Sequence, residues 1–203
     1  MLHLYMFKIV VITPETGHPD ESHILEFLVK EYGCQIHIRK PNFDKESYKK
    51  YLQNHNRLLS HFVLHEHHSL AKEFQVKGIH LKERDRKGSN LSFNELNIVS
   101  TSIHSIKDAA HLKHSFEYIF YSPLFESISK QSYGSNKTYE ELTESVFELK
   151  KNTSIPIMGL GGIDEENIEL VKKSGFDGAG LLGSVWGARD PVATIKLLFS
   201  NNR

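Results

Sequence analysis

Two glycine-rich turns stand near the end of the chain: MGLGGI from Met158 to Ile163, and SGFDGAGLLGS from Ser174 to Ser184. Each follows or contains a short apolar run, and a helix-length segment separates them. Gly161, Gly162 and Gly183 allow bare backbone to come close to an anion, because glycine reaches conformations closed to other residues. N–H groups at the helix starts that follow would point at such an anion, and Ser184 adds a hydroxyl donor. The pattern predicts a phosphorylated small molecule as ligand. A second candidate is IHIRKP, which sets His37, Arg39 and Lys40 at the end of another apolar run. Strand alternation sends His37 and Arg39 to one side. A guanidinium there neutralises phosphate charge or binds a planar polar ring, and Lys40 adjoins it as a further cation.

Carboxylates and hydroxyls come next. VLHEHHSLA offers His65, Glu66, His67 and His68, and GIHLKERD offers His80, Glu83 and Asp85. One acidic residue from each of two neighbouring loops, Glu66 and Asp85, predicts a Mg²⁺ site, with water and substrate phosphate filling the other positions. The histidines raise a transition metal as competing chemistry, although no helical pair of histidines with a partner supports it. TSIHS supplies Ser102 and His104. SPLFESISK supplies Ser122, Ser127, Ser129 and Lys130. A hydroxyl-rich loop closed by one ammonium suits a pyrophosphate.

These groups need a scaffold, and short β-branched runs alternating with amphipathic segments provide one. Strands are expected at Phe7–Thr13, Gln35–Arg39, His61–His65, Gly78–Leu81, Asn97–Ser102, Tyr118–Tyr121, Ile155–Leu160 and Gly178–Leu182. Helices are expected at Asp20–Tyr32, Asp44–Asn54, Ser69–Phe74, Ser105–His111, Tyr139–Asn152, Glu165–Ser174 and Pro191–Phe199. Gly33 is placed to stop the first and Asp44 to cap the second. This is the order of an α/β (β/α)8 TIM barrel, read as one domain over residues 1–203. Glycine turns after the last two strands are where such barrels bind phosphate. The polar stretch Ser122 to Lys137 is long for a connection and reads as a mobile lid over the same face.

Composition narrows the function classes. The 203 residues contain 25 Lys+Arg and 25 Asp+Glu, a formal net charge of +0, which lacks the basic excess expected of a nucleic-acid binder. One cysteine, Cys34, excludes an intrachain disulfide and fits a reducing cytoplasm. No apolar run reaches the ~20 residues of a membrane span. The apolar start MLHLYMFKIVVIT lacks a basic leader and reads as a strand, not a signal peptide. Oligomeric state stays open, with pairing of like barrels a common outcome.

Taken in order, the motifs resemble those of thiamine phosphate synthases and their sister group, the thiazole tautomerases. The block HEHHSLAKEFQVKGIHLKERD, from His65 to Asp85, matches the family at Leu70, Ala71, Gly78, His80, Leu81 and Asp85. The family's Thr-x-Thr-Lys loop is similar to Ser127, Ile128, Ser129 and Lys130, and the glycine block from Gly159 and the Gly183–Ser184 turn also match. The resemblance implies a transferase of thiamine biosynthesis that joins a hydroxymethylpyrimidine pyrophosphate to a thiazole phosphate and releases pyrophosphate. It implies that Arg39, Asp85, Ser102, Ser127, Ser129 and Lys130 surround the pyrimidine pyrophosphate and Mg²⁺. Gly161, Gly162, Gly183 and Ser184 would hold the thiazole phosphate. Four positions depart from the family: His37 stands for a Gln, Pro41 for a basic residue, and His65–Glu66 for Asn–Asp. All fall on the pyrimidine side. They keep two alternatives in play: a thiazole tautomerase, whose expected catalytic histidine is here replaced by Ser122 and Pro123, and a non-catalytic barrel that binds thiazole phosphate.

Overall fold

A computed structural model of the chain describes residues 7–87, 97–112, 116–126 and 137–200. Its elements run β1 (Lys8–Ile12), α1 (Glu21–Tyr32), β2 (Gln35–Ile38), α2 (Lys45–Asn54), β3 (Phe62–Leu64), α3 (Leu70–Glu73), β4 (Gly78–Leu81) and α4 (Glu83–Lys87). The second half continues with β5 (Ile98–Ile103), α5 (Ile106–Ala109), β6 (Tyr118–Tyr121), α6 (Tyr139–Asn152), β7 (Ile157–Leu160), α7 (Ile168–Lys173), β8 (Gly178–Leu181), α8 (Gly183–Trp186) and α9 (Pro191–Ser200). A 3-10 turn at Asn56–His61 leads into β3. The strands pair in parallel and in sequence order, and β8 closes on β1 through Lys8 opposite Gly178 to Val11 opposite Leu181. The expected (β/α)8 barrel is the fold observed.

Local chemistry sets the element ends. Gly33 adopts φ 58° and returns its N–H to the last turn of α1, a left-handed stop that costs glycine little. The Asp44 carboxylate accepts from Ser47 N at 2.7 Å and starts α2. At α6, Thr138 and Glu141 form a reciprocal capping box. β7 begins at Ile157, two residues later than the sequence suggests. The reason is Pro156, which has no N–H to give a ladder, although its carbonyl accepts from Ile119 N at 2.9 Å.

Period-two alternation divides the core. One set of strand side chains, including Ile36, Ile38, Leu64, Ile79 and Leu81, packs against Leu25, Leu28, Leu52 and the other helix residues. The opposite set fills the barrel: Val10, Val63, Val99, Tyr118, Phe120 and Met158. His37, His80 and Ser100 are buried among them. A polar cluster in the barrel interior is the unusual feature of this core, and it lies directly beneath the site.

Candidate active site

A cavity of about 450 Å³ opens at the C-terminal ends of the strands. One wall is made by Gly161, Gly162, Gly183 and Ser184, the two turns expected to face each other there. Gly161 and Gly162 adopt φ of 100° and 63°. A Cβ on Gly162 would sit 2.4 Å from the Glu126 carbonyl, so only glycine lets the chain entering from β6 pass this close. At Gly183 an added Cβ would meet nothing within 4 Å, so that turn is open. Ser184 Oγ is buried and, among the described residues, has no hydrogen-bond partner. A buried hydroxyl left so costs about 1–3 kcal/mol, and an oxygen of a bound anion would remove that cost.

The opposite wall comes from β2 to β5. Arg39 lines it; its N–H donates to Thr13 Oγ1 at 2.9 Å, and its guanidinium pairs with Glu15. Ser102 lines it beside His80, with Oγ 3.3 Å from His80 Nε2. Lys82 and Glu15 also reach the cavity and were not anticipated from sequence. Lys82 carried a legible signal: it stands two residues after His80, and equal parity on a strand means an equal direction. His104 also lines the cavity, with Nδ1 2.9 Å from the Ser122 carbonyl and Nε2 3.9 Å from Glu83 Oε2.

Three expected residues take other places. Lys40 points away from the cavity because it alternates with Arg39. Its ammonium is buried between α1 and the barrel, 2.8 Å from Glu21 Oε1, and donates to the Pro14 carbonyl at 2.7 Å. His37 does face inward, as parity requires, but lies fully buried below the cavity and is not one of its lining residues. His67 turns outward to the Phe43 carbonyl, with Nε2 2.9 Å from that oxygen. Ser127, Ser129 and Lys130 lie outside the described residues.

The carboxylates expected for Mg²⁺ each have a basic neighbour. Glu66 Oε1 accepts from Lys82 Nζ at 2.7 Å, and Oε2 accepts from the Lys40 N–H at 3.0 Å. Asp85, on α4, has Oδ1 3.3 Å from Arg84 Nε. Both Glu66 oxygens are bonded within the protein, and neither carboxylate lines the cavity.

The stretch after β6, expected as a lid, is anchored at its start. Leu124 N donates to the Leu160 carbonyl at 3.0 Å and Phe125 N to that of Gly161 at 3.1 Å, and both side chains are buried. Residues 122–126 thus form part of the wall behind the glycine turns. Residues 127–136 of this stretch lie outside the described residues.

The floor is made of imidazoles. His65 and His80 line the cavity with their rings stacked 4.1 Å apart, and His37 sits beneath them, its Nδ1 2.8 Å from His65 Nε2. His37 Nε2 shares a 2.5 Å hydrogen bond with the Tyr118 hydroxyl, and His80 Nδ1 one of 2.8 Å with Ser100 Oγ. Burial drives all three pKa values down, His80 to about 3 and the other two well below the usual imidazole range. Cationic neighbours add to this, Lys8 for His37, and Arg39 and Lys82 for His65 and His80. All three rings are therefore neutral at ordinary pH.

Comparison with known proteins places this geometry in a family. The family model for thiamine monophosphate synthase matches residues 9–185. A thiamine-phosphate synthase of Halalkalibacterium halodurans is 26% identical over 204 aligned positions, covering 94% of this chain and 93% of the relative. The crystal structure of thiamine phosphate pyrophosphorylase from Bacteroides thetaiotaomicron superposes with a TM-score of 0.72 at 30% identity, covering 95% of this chain and 94% of that one. A pyrophosphorylase from Pyrococcus furiosus superposes with the same TM-score, 0.72, at 22% identity, which speaks for the fold alone.

Proposed function

Because the chain belongs to the thiamine monophosphate synthase family, we propose that this cavity joins a hydroxymethylpyrimidine pyrophosphate to a thiazole phosphate. The chain is a transferase of thiamine biosynthesis. One observation carries the assignment of the thiazole phosphate to its wall: the buried Ser184 hydroxyl, without a partner among the described residues, lines the same cavity as the Gly161–Gly162 turn. A phosphate there receives that hydroxyl and nearby backbone N–H groups.

The chemistry asked of the protein is modest. The bond from the pyrimidine methylene carbon to pyrophosphate breaks, and its electron pair leaves with the pyrophosphate. The thiazole nitrogen lone pair forms the new C–N bond, and no proton moves in that step. The protein holds the two substrates in line and stabilises the charge on the leaving group. Arg39 and Lys82 are the cations on that wall, with Ser102 as a hydroxyl donor, and Ser127, Ser129 and Lys130 are assigned to the same pyrophosphate. Buried His37, His65 and His80 are neutral and form the floor beneath the reacting atoms. Mg²⁺ would supply further charge neutralisation. No step is derived through it, because Glu66 is already held by Lys82.

Both substrates incubated with the purified protein should yield thiamine phosphate and pyrophosphate in equal amounts, with Mg²⁺ varied as a separate arm. No product with or without Mg²⁺ would overturn the synthase reading. Aromatisation of an unaromatised thiazole carboxylate phosphate, without coupling, would replace it by the tautomerase.

A further inference from the structure

We propose that His37, His65 and His80 form a binding site for a divalent transition-metal ion of the zinc type, with its open coordination position facing the cavity. One ring nitrogen from each lies within 4.8 Å of one from each of the others. Strand register explains the convergence. His37 on β2 lies opposite Val63 on β3, and Val63 opposite Gly78 on β4. His65 and His80, each two residues further on, therefore occupy one level, and His37 the level below. The three rings form a triangle across neighbouring strands, which a rigid barrel holds in place.

The donor set suits such an ion. Neutral imidazole is the ligating form, and nitrogen donors favour zinc, copper or nickel over magnesium. The outer partners are of the expected kind. The Tyr118 hydroxyl holds His37 Nε2 and Ser100 Oγ holds His80 Nδ1, so the ion would take His37 Nδ1 from its 2.8 Å contact with His65 Nε2 and His80 Nε2 from its 3.3 Å contact with Ser102 Oγ. Zinc–nitrogen bonds of about 2.0–2.1 Å in a tetrahedral site put ligand nitrogens roughly 3.4 Å apart. The 2.8 Å pair of His37 and His65 must open slightly, and the stacked rings of His65 and His80, only 14° from parallel, must turn so that both lone pairs aim at one ion. Three protein ligands with a fourth position open to a ligand cavity is the arrangement of catalytic zinc. A water or an oxygen of the phosphorylated ligand would take that position.

This proposal stands independently of the synthase reading, because its test needs no turnover. The full chain is stripped with chelator and titrated with Zn²⁺ by calorimetry and with Co²⁺ by visible absorption. One ion per chain is expected, with the intense d–d bands of four- or five-coordinate Co²⁺, displaced by Zn²⁺ and not by Mg²⁺. His37→Gln and His65→Asn replace a ring by an amide of similar reach that still hydrogen-bonds, and should each weaken Zn²⁺ by about 100-fold or more, the upper end of what even outer-sphere changes cost. His23→Gln, at an exposed position on α1, should leave affinity unchanged. Equal affinity in the wild type and in either cluster variant would overturn the site. So would weak, octahedral Co²⁺ bands in the wild type alone, a result that holds even if a variant does not fold.

Discussion

At the scale of single residues, burial and direction decide function. Ser184 is the clearest case, a hydroxyl placed in the cavity wall with no protein partner among the described residues. Ser184→Ala should raise KM for the thiazole phosphate about 10- to 100-fold, the worth of one hydrogen bond to a charged group, and change kcat little. An unchanged KM would show that the phosphate binds elsewhere. Cys34 shows the opposite situation. Burial pushes its thiol up to about 12, and Sγ lies 3.6 Å from the Ile9 carbonyl. The thiol form is inert, so an alkylating reagent at pH 8 should leave native protein unmodified and label it fully in denaturant; fast native labelling would contradict the burial. Sequence alone identified Arg39 as a residue of this face, because strand parity suffices for it. It misplaced Lys40, which parity sends outward, and did not foresee that three imidazoles meet, since that depends on inter-strand register.

At the scale of elements, caps and punctuation were legible and very short helices were not. Gly33 and Asp44 each act through one local interaction and each marks an element end, whereas the delay that Pro156 imposes on β7 was not read. α4 and α8, of five and four residues, are too short to show a 3.6-residue period. What joins α1 to the barrel is equally invisible locally. Glu21 begins α1 and Lys40 follows β2, and their buried ion pair, assisted by the Tyr51 hydroxyl donating to Glu21 Oε1 at 2.6 Å, ties the two together. Removing one partner strands a buried charge, so Glu21→Gln should cost about 3–5 kcal/mol in denaturant unfolding. A loss under 1 kcal/mol would mean that water reaches Lys40. Gly162 ties two other connections: the turn after β7 and the chain leaving β6. Gly162→Ala meets the Glu126 carbonyl at 2.4 Å in a left-handed conformation, and should both destabilise the fold and abolish phosphate binding. Retained affinity for the thiazole phosphate in that variant would detach the glycine turn from the site.

For the whole molecule, the barrel separates stability from function by face. The helix-facing core is continuous and apolar, while the interior beneath the cavity holds imidazoles, hydroxyls and the open glycine wall. The fold was readable from eight alternations of period, because each β/α unit signals itself locally and closure follows from their number. The pyrimidine side of the site was less readable, because its departures at His37, His65 and Glu66 acquire meaning only once Lys82 and Tyr118 are seen beside them. A binding face left polar and partly unsatisfied lowers the stability of the empty protein, and a ligand returns it. At 100 times its Kd, a ligand of the native state adds about 2.7 kcal/mol. For a chain of this size that corresponds to a rise in Tm of roughly 5–10 °C. Thiazole phosphate should produce this shift in the wild type, and at the same concentration a clearly smaller one in Ser184→Ala. Arg39→Ala should instead reduce the shift given by the pyrimidine pyrophosphate and leave the thiazole phosphate shift intact. A shift lost for both ligands in either single variant would mean that the two walls do not bind separate substrates, and the division of the cavity between them would fall.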